Sequence, residues 1–156
     1  MKISYTLMIC AIAGLTGCTE RTEAVDKLNQ NEARVGISTL VYPNTVPVNT
    51  DFVLNASIAN VGAATLPSLG KNKTDQYRVG VSYHWRTMDD KVVVWDGVFN
   101  PLKKDMKKGD SQTIDLAVKA PAAPGRYILE IDVLQNSAFW FAGAGSQTAR
   151  INVDVK

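Results

Sequence analysis

The chain has 156 residues, 46% of them hydrophobic and 21% charged, with a formal net charge of +2. That balance is typical of one folded domain of ordinary size and excludes a disordered chain. Charge so close to neutral also argues against nucleic acid as a partner, which needs a concentrated basic face.

The amino terminus divides into the parts of an export signal. Lys2 supplies a positive start, Ile3 to Leu15 is an apolar run without charge, and the small residues Thr16 and Gly17 lead into Cys18. The run is shorter than the roughly 20 apolar residues that span a bilayer, and it stops at the polar stretch TERTEAVDK. It reads as a targeting segment to be removed from fold reasoning. Leu15-Thr16-Gly17-Cys18 resembles the bacterial lipobox. The resemblance implies a signal peptide over residues 1–17, cleavage before Cys18, a diacylglycerol on the Cys18 thiol and acylation of the new amine by a fatty acid such as palmitate. Thr19 follows the Cys where inner-membrane retention signals carry Asp, which implies outer-membrane sorting. Two or more acyl chains give stable anchoring, at about 0.8 kcal/mol per buried methylene.

The only other cysteine, Cys10, leaves with the signal. The mature chain then has no disulfide, although its compartment permits one, and must stand on its hydrophobic core. Residues 18–33 read as the lipidated Cys and a polar tether. A flexible chain of that length reaches roughly 20–25 Å. The alternative is a short helix, since Ala24, Val25 and Leu28 fall on one side.

From residue 34 to 156 short segments of period-two alternation are separated by Pro, Gly, Asn and Asp, the pattern of an all-β sandwich or barrel. Val35 to Val41 is the first strand, ended by Pro43 and Pro47. Phe52, Leu54, Ala56 and Ile58 face one way in the second, which stops at Asn60-Val61-Gly62. Residues 63–76 are a polar loop. Val79, Val81, Tyr83 and Trp85 then take one face and Arg78, Gly80, Ser82, His84 and Arg86 the other. Met88 to Lys91 turns this strand into Val92–Trp95. Lys107 to Asp110 turns the chain into a strand with Ile114, Leu116 and Val118 inward. Pro121 to Gly125 is a loop, Tyr127, Leu129, Ile131 and Val133 line the next core face, and Ile151, Val153 and Val155 close the set. Seven to eight strands without a helical period predict two antiparallel sheets face to face.

The landmarks IANVG, VSYHW, MKKGDSQTIDLAV and APAAPGRYILEIDVL occur in the order of bacterial immunoglobulin-like and fibronectin-III-like modules. The Tyr-His-Trp, Pro-Gly-Arg-Tyr and Phe-Trp-Phe series resembles sandwich domains appended to surface-polysaccharide proteins. The resemblance implies an immunoglobulin-like antiparallel β-sandwich over 34–156, with Trp85 as its core aromatic and Tyr127 as a tyrosine corner. The paired cysteines of antibody domains are missing, and function does not travel with such a fold.

Groups for catalysis are scarce. His84 is the only histidine, which leaves no His-based relay or metal cluster, and its position opposite Trp85 reads as a surface imidazole. Asp89-Asp90 reads as turn chemistry. No cofactor or metal is expected, and the chain is read as non-enzymatic. Two features suit binding. Phe139-Trp140-Phe141 cannot all face one side of a strand, so they form either an aromatic platform or a cap on the sandwich. Lys103, Lys104, Lys107 and Lys108 crowd one loop. They suit phosphates of lipid or lipopolysaccharide, at about 1 kcal/mol each at best, or simply a solvated turn that protects an edge. The expectation is a lipid-anchored, periplasmic or surface-facing envelope module that binds another envelope protein or, alternatively, a polysaccharide. Cys18→Ser is expected to abolish fatty-acid labelling and move the protein from the membrane to the soluble fraction. Persistence of both label and membrane association would overturn the lipobox reading.

Overall fold

The computed structural model describes residues 25–156, so the signal segment and Cys18 lie outside the described residues. Ten strands follow in chain order among those residues: β1 (Val35–Val41), β2 (Thr45–Val46), β3 (Asp51–Asn60), β4 (Val79–Thr87), β5 (Val92–Val94), β6 (Asn100–Pro101), β7 (Ser111–Lys119), β8 (Gly125–Gln135), β9 (Phe139–Trp140) and β10 (Ala149–Val155). One 3₁₀ turn, Lys71–Lys73, interrupts the β3–β4 loop. Sequence pattern finds the long strands. It misses β2, β6 and β9 because two residues leave no period to read.

The fold is an immunoglobulin-like antiparallel β-sandwich. One sheet has the order β1-β3-β7. The other has the order β2-β10-β8-β4-β5, with β6 continuing the β5 position along β4 and β9 continuing the β10 position along β8. β2 runs parallel to β10, so the first part of the chain leaves one sheet and joins the other. Every other pairing is antiparallel.

The inward faces are those that the alternation marks. Leu54, Ala56 and Ile58 of β3 and Ile114, Leu116 and Val118 of β7 meet Val79, Val81, Tyr83 and Trp85 of β4 and Leu129, Ile131 and Val133 of β8, all buried. Each such side chain contributes about 1.5–3 kcal/mol on full burial. Trp85 is at the centre, edge-on to Phe52, Tyr83 and Tyr127 at 6.1–6.5 Å between ring centroids. The Tyr127 hydroxyl donates to the Ala123 carbonyl at 3.1 Å, the hydrogen bond of a tyrosine corner.

Two polar side chains close the end of the sandwich at which the chain enters. Asn60 is fully buried, with its Nδ2 donating to Ala64 O at 2.8 Å and Met106 O at 2.9 Å. Gln135 is equally buried. Its Nε2 donates to Asp26 O and Tyr77 O, and its Oε1 accepts from Leu28 N–H. Part of the stretch read as tether therefore rests on the domain: Leu28 packs against the core, Ala33 is buried, and Glu32 O accepts from Ala63 and Ala64 N–H.

The long free edge of the three-stranded sheet, on β7, is occupied by side chains. Asn100 behaves as a substitute peptide, accepting from Ala117 N–H at 3.0 Å and donating to Ala117 O at 3.5 Å. One step along, the Tyr83 hydroxyl accepts from Lys119 N–H, and Trp85 Nε1 donates to Lys119 O, both at 2.9 Å. Loss of the Asn60 amide strands two carbonyls inside the protein. Asn60→Ala is expected to lower stability by about 2 kcal/mol, measured as a lower urea midpoint at unchanged m-value.

Candidate functional site

Alternation turns Ser82, His84 and Arg86 of β4 and Glu130 and Asp132 of β8 away from the core. In the ladder Ser82 stands opposite Asp132 and His84 opposite Glu130. A face so polar reads as water-facing, yet Ser82, His84 and Asp132 are at most 2% exposed and Glu130 is 9% exposed. The reading of His84 as a surface imidazole is corrected accordingly. The reason is two flaps that cross the outer face of the sheet.

The first flap is the β5–β6 connection, residues 95–99. It hugs β4 because two glycines allow close approach: a Cβ at Gly97 would strike the Tyr83 ring at 2.6 Å, and one at Gly80 would strike Phe99 at 2.4 Å. Trp95 is thereby laid flat on His84, with ring centroids 4.1 Å apart and planes 19° from parallel. The Arg86 guanidinium carbon is 5.7 Å from the centre of the same indole. The second flap is β9 with the following loop, residues 141–148. Trp140 stands against His84 at 4.5 Å and against Trp95 at 6.1 Å, at 57° and 67°.

Between the flaps lies a cleft of about 350 Å³, lined by His84, Arg86, Trp95, Glu130, Asp132, Phe139, Trp140 and Thr148, with Gln30 at its rim. Two other hollows have similar size, one around Tyr42, Arg126 and Arg150 and one around Arg34, Val61 and Ser146. Neither is lined by a buried titratable group. A pocket with aromatic walls and a few converging polar groups is the better candidate.

The polar groups of the cleft largely satisfy one another. Arg86 Nε donates to Glu130 Oε2 at 2.5 Å, and the Thr148 hydroxyl donates to Glu130 Oε1 at 2.8 Å. Burial pushes the Glu130 pKa up, and the bonds from Arg86 and Thr148 outweigh it, so the group sits below the usual carboxylate value. Asp132 Oδ1 accepts from Val133 N–H at 2.7 Å and Ala142 N–H at 3.3 Å. Here burial wins over both N–H donors, with repulsion from Glu130 added, and the pKa rises to about 6. Burial lowers the pKa of His84, against the opposing pull of the Trp95 carbonyl and Glu130. The partner of His84 Nδ1 is the Trp95 carbonyl oxygen, so Nδ1 carries the proton and Nε2 is left as an acceptor.

Serine, histidine and aspartate thus sit near one another without forming a nucleophilic relay. Ser82 Oγ is buried without a hydrogen-bond partner, and the orienting bond of His84 goes to a carbonyl. Among the described residues no group of three or more His, Cys, Asp or Glu is placed to hold a metal ion.

The aromatic triplet is divided. Phe141 is fully buried, Phe139 stacks on it at 5.2 Å, and Trp140 forms the cleft wall. Lys103, Lys104, Lys107 and Lys108 are all exposed on the β6–β7 connection, and none lines the cleft. Gln112 holds that loop through Lys103 N–H and Lys104 O. Asp89 and Asp90 sit in the β4–β5 turn, where Asp90 has a φ of +66° and receives Arg150. Sequence reasoning passes over Trp95, Arg86, Glu130 and Asp132. The available signal was the pair of acids, Glu130 and Asp132, set among Leu129, Ile131 and Val133 of one strand.

No protein-family model matches the chain. No curated protein matches it either. Among solved structures, a β-glucosidase from Listeria innocua aligns at 11% identity and a TM-score of 0.45, over 79% of this chain and 16% of that one. The alkylpurine DNA glycosylase AlkC of Pseudomonas fluorescens aligns at 13% and 0.49, over 80% and 31%. A CARDB domain from Pyrococcus furiosus aligns at 15% and 0.43, over 80% and 94%. This chain therefore spans a small part of the first two proteins, and nothing of their activity or ligands is carried over.

An acid whose folded pKa lies above its unfolded value of 3.8 costs stability as pH rises from about 4 through 6. Asp132→Asn keeps an oxygen for the Val133 and Ala142 N–H groups and removes the charge. At pH 7 it is expected to be the more stable form by up to about 3 kcal/mol. Denaturant titrations should show that advantage shrinking as the pH falls from about 6 to 4 and vanishing below about 4.

Proposed function

We propose that this protein is a lipid-anchored, non-catalytic binding module of the bacterial cell envelope, sorted to the outer membrane, which takes a partner protein along the open edge of β5. The observation that carries the reading is the contrast between the β7 edge of one sheet and the β5 edge of the other. The β7 edge is filled by Asn100, Tyr83 and Trp85. On the other sheet, β5 is the terminal strand beside β4. Around it Met88, Val92, Val93 and Val98 are 43–50% exposed. Soluble proteins usually blunt an edge with charge, proline or a cover. β5 carries exposed valines between Lys91 and Asp96, and such an edge suits strand addition, in which main-chain bonds give affinity and side-chain contacts give selectivity.

The anchor supports the same reading, because tethering raises the local concentration of a weakly binding domain. The chain joins the sandwich at the end that carries the β6–β7 loop, where Met106 pairs with Leu66 and Asn60. On a chain anchored through Cys18, Lys103, Lys104, Lys107 and Lys108 therefore face the headgroups, where basic residues contribute about 1 kcal/mol each at best.

A photo-crosslinking side chain at position 93 in living cells is expected to give a discrete heavier adduct. The same side chain at position 53, exposed on β3 of the opposite sheet, should give none. Val93→Lys should abolish co-purification of the adduct partner. No adduct at 93, or the same adduct from both positions, would sink this reading.

A further inference from the structure

The cleft beneath Trp95 is separate from the β5 edge, and its chemistry selects a different ligand. We infer that it is a binding site for a neutral pyranose sugar, recognised by stacking on Trp95 with Trp140 as the side wall.

The shape comes first. One face of the Trp95 indole is spent on His84, which lies nearly parallel at 4.1 Å. The residue is nonetheless 44% exposed and lines the cleft, so part of the indole is open to a ligand there. Trp140 meets Trp95 at 67°. Floor and wall make an aromatic corner, rigid because both indoles rest on one buried imidazole. A pyranose ring presents an apolar C–H face to such a floor and hydroxyls around its rim. The volume of about 350 Å³ falls at the small end of the range of about 300–1,000 Å³ for small-molecule sites.

Charge then removes the alternatives. A cation seeking the Trp95 π face would compete with the Arg86 guanidinium, which already lies 5.7 Å from that ring centre. An anion would meet Glu130 and Asp132. The one basic group in the floor, Arg86, is neutralised by Glu130 at 2.5 Å. A neutral ligand meets neither penalty.

Finally, hydrogen-bonding groups remain free at the cleft. His84 lines it and uses Nδ1 for the Trp95 carbonyl, and its Nε2 is not among the buried unpartnered atoms, so it is left as an acceptor within reach of solvent or ligand. Among the described residues no hydrogen bond engages the indole N–H of Trp95 or Trp140, whereas that of Trp85 is held by Lys119 O. Two donors and one acceptor around an aromatic corner match a ring of hydroxyls, each of which donates and accepts.

The chain has three tryptophans, and they supply the test. In full-length protein held in detergent micelles, the indole N–H resonances are followed while maltohexaose, cellohexaose and chitohexaose are added to millimolar concentrations. At least one of these neutral sugars is expected to shift the signals of Trp95 and Trp140 and leave that of Trp85 in place. Trp95→Ala should weaken binding roughly tenfold or more, and Val93→Lys should leave it unchanged. The second variant keeps failure of this site distinct from failure of the β5 edge. Three results would each overturn the assignment: no shift with any neutral sugar, a shift of Trp85 together with the others, or a response only to charged glucosamine or galacturonate oligomers.

Discussion

The structure depends on the fact that its two central strands, β4 and β8, are buried on both faces. One face is an ordinary apolar core. The other carries a cross-strand row of serine, aspartate, histidine and glutamate, and buried polar groups must find partners or carry a cost. The flaps follow from that requirement. The Trp95 carbonyl satisfies His84, the Ala142 N–H reaches Asp132, and Thr148 reaches Glu130. Each flap is thus held down by the row it covers, and the cleft is the space that two independently held flaps leave between them.

The same economy of side-chain bonds settles the sheet edges. The two sheets end in four terminal strands, β1, β7, β2 and β5, and two of them, β7 and β5, are treated differently. β7 is closed by one amide, one phenol and one indole, all reaching across from the opposite sheet or its connection. Tyr83 and Trp85 therefore have two roles, filling the core with their rings and completing a ladder with their polar tips. Among the described residues β5 has no such cover, and Met88 and Val98 add apolar surface beside the exposed charges of Lys91 and Asp96.

Much of the fold was legible in the sequence because strand period and turn residues carry it. Leu54, Ala56 and Ile58, or Ile114, Leu116 and Val118, announce a face by alternation alone, and Trp85 and Tyr127 occupy the positions that the order of motifs implies. The candidate site was much less legible. Alternation says which side of a strand a residue takes. It does not say whether that side is wet. His84 and Asp132 share the pattern of solvent-facing residues, and only the flaps, contributed from positions 95–99 and 139–148, decide otherwise. Those flaps consist of short strands and loops that carry no period, and the course of the first is set by close contacts at Gly80 and Gly97. The Phe139–Phe141 triplet was visible as an odd feature, but its division between core and cleft follows from the turn after β8.

Gln135 gives the assembly a mechanical character. A pull on the chain ahead of residue 26 is met first by the hydrogen bonds of this one amide to Asp26 and Leu28, together with the Lys71–Asp26 ion pair at 3.3 Å. The ladder between β1 and β3 bears load only after these yield. Gln30, which sits at the rim of the cleft, belongs to the segment that peels away in that first step. Tension on the amino-terminal chain is therefore felt at the cleft before the sandwich itself is strained.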